Sequence, residues 1–93
     1  MKTVELFHLP DCPYCIKAEK AIRELIDEDP DYARINVRWI NERAEADYAD
    51  TKDYYYVPTI FFEGEKLYEA DPGQKYEDIK ACIRAAFDRV LSV

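Results

Sequence analysis

No apolar run in these 93 residues approaches the roughly 20 residues a membrane-spanning helix needs. The N-terminus enters a strand-like pattern at Thr3 in place of the apolar stretch of a signal peptide. The chain also lacks a basic cluster: 13 Lys and Arg stand against 20 Asp and Glu, a formal net charge of −7, which excludes the phosphate-neutralising face that nucleic-acid binding requires. No membrane and no nucleic-acid partner is expected, and a cytoplasmic location follows as the expectation. Soft metal ligands are scarce. Beyond Cys12 and Cys15 only Cys82 and His8 remain, and Cys82 falls on an apolar helical stripe, so a four-ligand zinc site is not expected. There is no repeat, low-complexity segment or long linker, and the length leaves no room for a second domain. With 48% hydrophobic and 14% aromatic residues the chain has material for one layered core, so one domain over residues 1–93 and a monomer are expected.

What is present alternates between strand and helix periods. Thr3 to Leu9 places Val4, Leu6 and His8 on one side and Glu5, Phe7 and Leu9 on the other, as in a strand. Pro10 interrupts it. From Pro13 the period is helical, with Cys15, Ala18, Ile22, Leu25 and Ile26 on one stripe and an end near Asp29-Pro30. Ile35, Val37 and Trp39 alternate with Asn36 and Arg38 in a second strand, and Asn41 is placed to cap a short helix rich in Ala and Glu. Val57 to Phe62 reads as a third strand, Glu63-Gly64-Glu65 as a turn, and Lys66 to Glu69 as a fourth strand closing a hairpin. Asp71-Pro72-Gly73-Gln74 has the form of a helix start: an N-cap, a proline at the first position and a glutamine able to reach back. The helix it opens carries Ile79, Cys82, Ile83, Ala86, Phe87, Val90 and Leu91 at three- and four-residue spacing. The result is an α/β fold, strand-helix-strand-helix-strand-strand-helix, around a four-stranded mixed sheet. Its two helical connections favour parallel crossovers and its closing hairpin is antiparallel.

Cys12-Pro13-Tyr14-Cys15 falls where the first strand meets the first helix, the setting in which C-x-x-C is a redox motif. With Cys12 at the cap, Pro13 is N1 and Cys15 is N3. The N–H groups of Tyr14 and Cys15 are then expected to point at the Cys12 sulfur and favour its thiolate, with ~0.3–1 kcal/mol of help from the helix dipole. Asp11 opposes this by about 0.7 kcal/mol if the charges stand about 6 Å apart in water. Cys12 is thus the expected nucleophile, and Cys15, one turn further in, the resolving thiol. Cys82 reads as a packed core thiol. His8 reads as a packed strand histidine, since a stabilised thiolate needs no dedicated base.

These residues, with Val57-Pro58-Thr59, a hairpin at Gly64 and a terminal helix, resemble the glutaredoxin and thioredoxin superfamily over essentially the whole chain. Cys-Pro-Tyr-Cys is typical of dithiol glutaredoxins, whereas thioredoxins usually carry Cys-Gly-Pro-Cys. The resemblance implies a thioredoxin fold of the glutaredoxin-like kind and a dithiol reductase of protein or small-molecule disulfides. It implies Pro58 in cis beside the nucleophile, the Val57 backbone paired with the substrate peptide, and Pro13 and Tyr14 at the groove. Disulfide-containing proteins are the implied partners, with glutathione or a thioredoxin reductase, a flavoprotein, as electron donor and no tightly bound cofactor. Two departures bear on the donor. Where many glutaredoxins have a lysine three residues before the first cysteine this chain has Leu9, and alignment on Gly64 puts Tyr68-Glu69 at the family's Gly-Gly pair. Glutathione is therefore expected to be a poor partner, because each lost charge-assisted contact removes ~1.5–3 kcal/mol. Asp71 falls near the aspartate that meets glutathione's amino group, a reading that competes with helix capping. Lys52 stands where related proteins often place a basic or amide residue, and Tyr54, Tyr55 and Tyr56 lead into Pro58 either to line a groove or to pack. The competing class is a redox-sensing or binding module that uses the groove beside Pro58 without efficient turnover.

Overall fold

In the computed structural model, which describes residues 2–93, Val4, Leu6 and Phe7 have no exposed surface. A strand buried on both faces must lie inside a sheet. This one, β1 (Lys2–His8), is flanked by β2 (Ile35–Asn41) and β3 (Thr59–Phe62), with β4 (Glu65–Glu69) outside β3. β1 and β2 are parallel and are joined through α1 (Pro13–Glu28), whereas the β1–β3 and β3–β4 pairs are antiparallel. Two further helices, α2 (Ala46–Ala49) and α3 (Tyr76–Leu91), complete the expected order, and the architecture is a thioredoxin fold.

α1 stops where it does because a proline bars the helical region to the residue before it: Asp29 is extended at φ −143° and ψ 105°. A 3₁₀ turn at Pro30–Arg34, not anticipated from the sequence, follows, with the Asp29 carboxylate accepting from the Asp31 N–H at 3.0 Å. Asn41 does cap, but it caps a turn. Its Oδ1 accepts from the Arg43 and Ala44 N–H groups at 2.9 and 3.1 Å, and helix is confined to Ala46–Ala49.

That short helix corrects the second parallel crossover. Four helical residues advance only about 6 Å against the ~23 Å of a seven-residue strand. The connection instead stays at one end of the sheet, the Glu42 N–H donating to the His8 carbonyl at 3.1 Å and the Tyr54 hydroxyl to the Glu42 carboxylate at 2.6 Å. β3 therefore starts beside the end of β1 and runs antiparallel to it, Phe7 opposite Thr59 and Glu5 opposite Phe61. Val57 and Pro58 precede β3, whose ladder begins only after the proline that has no N–H to contribute.

α3 also begins later than the sequence suggests. Asp71-Pro72-Gly73-Gln74 is a turn of its own, closed by the Gln74 N–H donating to the Asp71 carbonyl at 3.1 Å. Gly73 sits at φ 89°, the left-handed position that follows proline in a type II turn. Gln74 does reach back, its Oε1 accepting from the Asp71 N–H at 3.1 Å, yet it closes this turn and not the helix. The helix is capped at Lys75, whose N–H donates to the Asp78 carboxylate at 3.0 Å, and Asp71 caps nothing.

Both long helices lie on one face of the sheet. Ala18, Ala21, Ile22 and Leu25 of α1 and Ile79, Ile83, Ala86, Phe87 and Val90 of α3 enclose Val4, Leu6, Ile60 and Phe62. The opposite face carries a smaller cluster of Phe7, Ile40, Ala49 and Phe61, with Tyr48, Tyr54 and Val57 at its margin. Among the described residues no helix is long and apolar enough to cross a membrane.

The β3–β4 hairpin turns on two residues, Glu63 and Gly64, at φ 50° and 82°. Positive φ at both is what a type I′ turn needs. A Cβ on Gly64 would meet no atom within 4 Å, so Gly64→Ala should cost the backbone strain alone, about 1–2 kcal/mol. Urea unfolding is expected to show a lower midpoint with an unchanged slope, and Gly64→Asn part of the loss. A midpoint equal to wild type would show that the turn does not hold this conformation.

Candidate functional site

The site is built from the segment that leaves β1 and the segment that enters β3. Past His8 the chain turns at Leu9-Pro10-Asp11-Cys12, closed by the Cys12 N–H donating to the Leu9 carbonyl at 3.1 Å. Cys12 is the N-cap of α1, extended at φ −79° and ψ 124°, with Pro13 exposed at the first helical position and the Cys12 carbonyl accepting from the Ile16 N–H at 3.0 Å. Cys12 is partly exposed and Cys15 is 2% exposed, and both are thiols.

The sulfur of Cys12 does not cap the helix as expected: its side chain makes no cap hydrogen bond with the first turn. A thiol is a donor, and Sγ lies 3.8 Å from the Val57 carbonyl across the cleft, an acceptor that the helix N–H groups cannot replace. Cys15 lies below it. The Leu9 N–H donates to its Sγ at 3.5 Å, which favours the thiolate, but burial outweighs that contact and, with the neighbouring Cys12 thiol, pushes Cys15 up to about 12.

Facing the cysteines, the Val57–Pro58 bond is cis and Pro58 is fully buried, its carbonyl accepting from the Ala70 N–H at 3.0 Å. Val57 turns its carbonyl to Cys12, and its N–H has no hydrogen-bond partner among the described residues. A free N–H beside the sulfur is a donor an extended chain can use.

The remaining candidates divide. Tyr14 packs against the larger core cluster and its hydroxyl accepts from the Gly73 N–H at 2.7 Å, so it fastens the cysteine motif to the 71–74 turn. Asp71 sits exposed on that turn with its carboxylate in no ion pair or hydrogen bond among the described residues. Lys52 is drawn inward, over the rings of Tyr48 and Phe61 at 5.2 and 5.7 Å and 3.9 Å from Glu5. His8 packs edge-on to Trp39 at 5.2 Å, with burial lowering its pKa against a weaker opposing pull from Glu19. Cys82 is half-buried at the margin of the core, where the Gln74 Nε2 donates to its Sγ at 3.8 Å. Tyr68, at one of the two positions aligned with glycine, is buried, and its hydroxyl donates to the Gln74 Oε1 at 2.8 Å.

Glu42 was not singled out from the sequence, and Glu69 was noted there only as the residue standing in place of a glycine, not for the contacts it makes. Glu42 receives the Tyr54 hydroxyl and lines, with Leu9, Arg43, Lys52 and Tyr55, a cavity of about 470 Å³ beside the motif. Glu69 accepts from two backbone N–H groups of the tyrosine segment, Tyr55 at 2.7 Å and Tyr56 at 2.9 Å. Nothing in the sequence signals either, since an acid at a strand end has the same appearance when it faces water.

No family model matches the chain, and no curated protein does. Solved structures do match. A malarial protein is 19% identical with a TM-score of 0.58, over 88% of this chain and 92% of its own. A designed protein is 23% identical with a TM-score of 0.51, over 96% and 75%. A mutant thioredoxin from Halobacterium salinarum is 21% identical with a TM-score of 0.48, over 91% and 74%. The likeness is one of fold. At these identities it extends no further, and a TM-score below 0.5 adds nothing to it.

With Cys15 pushed up to about 12, its thiolate is scarce near neutral pH, because burial disfavours the charged form. Iodoacetamide near neutral pH is expected to modify Cys12 and leave Cys15 intact, with Cys15 labelling emerging only as the pH climbs toward about 12. Mass mapping of the alkylated peptides reads the order, and Cys15 labelling first would reverse the two roles.

Proposed function

We propose that this chain is a thiol-disulfide oxidoreductase of the glutaredoxin and thioredoxin type, reducing disulfides with Cys12 as nucleophile and Cys15 as resolving thiol. The observation that carries the reading is the placement of a partly exposed sulfur at a helix start, 3.8 Å from the carbonyl before a cis proline, over a second thiol that burial keeps protonated.

The chemistry follows from that division. Cys12 as thiolate attacks one sulfur of a substrate disulfide; its bond to that sulfur forms, the substrate S–S bond breaks, and the released thiolate takes a proton. Cys15 then gives up its proton and attacks Cys12 Sγ; the bond between Cys12 and the second substrate sulfur breaks, and that sulfur leaves as a thiolate that takes up a proton. Two electrons have passed to the substrate, and Cys12 and Cys15 are joined. Burial of Cys15 protects it from the first encounter, because attack requires a thiolate and an approach path. The free Val57 N–H and its carbonyl offer an extended substrate chain a strand-like pairing beside the sulfur.

The donor we assign is a flavoprotein reductase, with disulfide-bearing proteins as substrates and glutathione the weaker partner. Leu9 presents no cation, Tyr68 is committed to the core, and the Glu69 carboxylate is occupied by its own chain. Asp71, whose carboxylate has no ion pair or hydrogen bond among the described residues, is left as an anchor for a cationic group of a substrate.

Cys15→Ser is expected to accumulate a mixed disulfide at Cys12, and Cys12→Ser to trap none; equal trapping by both would sink the assignment of roles. Donor preference is read by turnover of insulin disulfides with a thioredoxin reductase beside turnover of a glutathionylated peptide with glutathione and its reductase. Two missing anchors predict at least about a hundredfold advantage for the first system. Efficient deglutathionylation would return glutathione to first place, and no turnover in either system would leave a sensing or binding module.

A further inference from the structure

Between Tyr54 and Val57, which pack at the margin of the smaller cluster, Tyr55 and Tyr56 are held by very little apolar burial. Tyr55 is 87% exposed and Tyr56 50%, so the segment that delivers Val57 to Cys12 needs polar fastening to keep one conformation. Glu69 supplies it from β4, where it stands opposite Thr59 in the ladder. One carboxylate oxygen accepts from the Tyr55 and Tyr56 N–H groups at 2.7 and 2.9 Å. The other accepts from the Lys66 ammonium at 2.7 Å, which in turn donates to the Asp53 carbonyl at 3.2 Å. The Thr59 hydroxyl donates to the Tyr56 carbonyl. Tyr56 is thereby gripped at both of its backbone groups, the N–H by Glu69 and the C=O by Thr59, and that C=O shares its peptide unit with the Val57 N–H.

We propose that Glu69 is a positioning residue for the substrate: it fixes the Tyr55-Tyr56 backbone so that the Val57 N–H and carbonyl meet an extended disulfide-bearing chain in register with Cys12 Sγ. The inference rests on the thiol-disulfide reading above. Charge-assisted hydrogen bonds to a carboxylate are the stronger kind, and two adjacent N–H groups sharing one oxygen leave the segment little rotation. The Lys66 ammonium first, and then these N–H groups, hold the Glu69 carboxyl below the usual carboxylate range, so the accepting form persists at neutral pH. Glu69 touches no reacting atom. Its effect belongs in substrate docking and not in the reactivity of the sulfur.

The test compares Glu69→Ala, Glu69→Gln and Lys66→Gln with wild type in the full chain, after each has been shown to unfold cooperatively. Backbone amide exchange at Tyr55 and Tyr56 should quicken by at least about tenfold in Glu69→Ala, because those exposed N–H groups have no other protection. KM for a peptide disulfide should rise by about tenfold, with kcat and the alkylation rate of Cys12 within about twofold of wild type. Glu69→Gln, which keeps an acceptor oxygen, should recover much of the KM, and Lys66→Gln, which leaves both N–H bonds in place, should stay close to wild type. Faster exchange with an unchanged KM overturns the positioning role while the thiol reading stands; unchanged exchange overturns the clamp itself. If wild type reduces no disulfide, the proposed function falls and the positioning role falls with it, whatever the exchange rates show.

Discussion

Three cross-strand pairs between β1 and β3, Glu5 with Phe61, Leu6 with Ile60 and Phe7 with Thr59, decide where distant parts of the chain meet. Because the pairing is antiparallel, the residues that follow β1 and those that precede β3 emerge at the same end of the sheet. Cys12 lies five positions past Phe7 and Val57 two before Thr59, so this register brings the Cys12 sulfur to the Val57 carbonyl. A slip of one residue would turn Phe7 and Phe61 away from their cluster and Leu6 and Ile60 out of the larger one, which is why the register is firm.

From that junction the two thiols receive different surroundings although they are three residues apart. Cys12 is the cap, outside the first helical turn and open to the cleft, whereas Cys15 shares the stripe of Ala18, Ala21, Ile22 and Leu25 that faces the core. Position on one helix thus separates a reachable sulfur from a sheltered one. The Leu9 N–H donates to Cys15 and burial opposes it, and burial wins. Tyr14 between them has a different duty, joining the motif to the 71–74 turn through the Gly73 N–H.

The parts of this arrangement that were legible in the sequence are those set by periodicity. The alternation from Thr3 to Leu9 marks the first strand, though not its burial on both faces, and the stripes of α1 and α3 match the buried residues closely, because a helix on a sheet must turn one face inward. Capping was less legible. Asn41 and Asp71-Pro72-Gly73-Gln74 carry helix-start chemistry, yet the same side-chain acceptors close turns equally well, and the chain uses them so. The second crossover was misread because periodicity does not tell how far a short helix carries the chain. Polar fastening left no mark at all: Glu42 and Glu69 have partners, a hydroxyl and two backbone N–H groups, that only the tertiary structure brings near.

The two faces of the sheet show why the fastening is polar where it is. On the helical face α1 and α3 enclose a continuous core, and the Lys80 and Arg84 contacts with Glu24 and Glu28 run along the exposed seam of helices already held by packing. Such exposed pairs contribute little. On the other face the cluster of Phe7, Ile40, Ala49 and Phe61 takes in Tyr54 and Val57 at its margin but leaves Tyr55 and Tyr56 exposed. Glu69 accepts from the Tyr55 and Tyr56 N–H groups, Thr59 donates to the Tyr56 carbonyl and Lys66 to the Asp53 carbonyl, while the Val57 N–H has no partner among the described residues. Under the proposed function, such order without burial suits a surface that pairs with an incoming strand, since each N–H satisfied internally is one the partner cannot use.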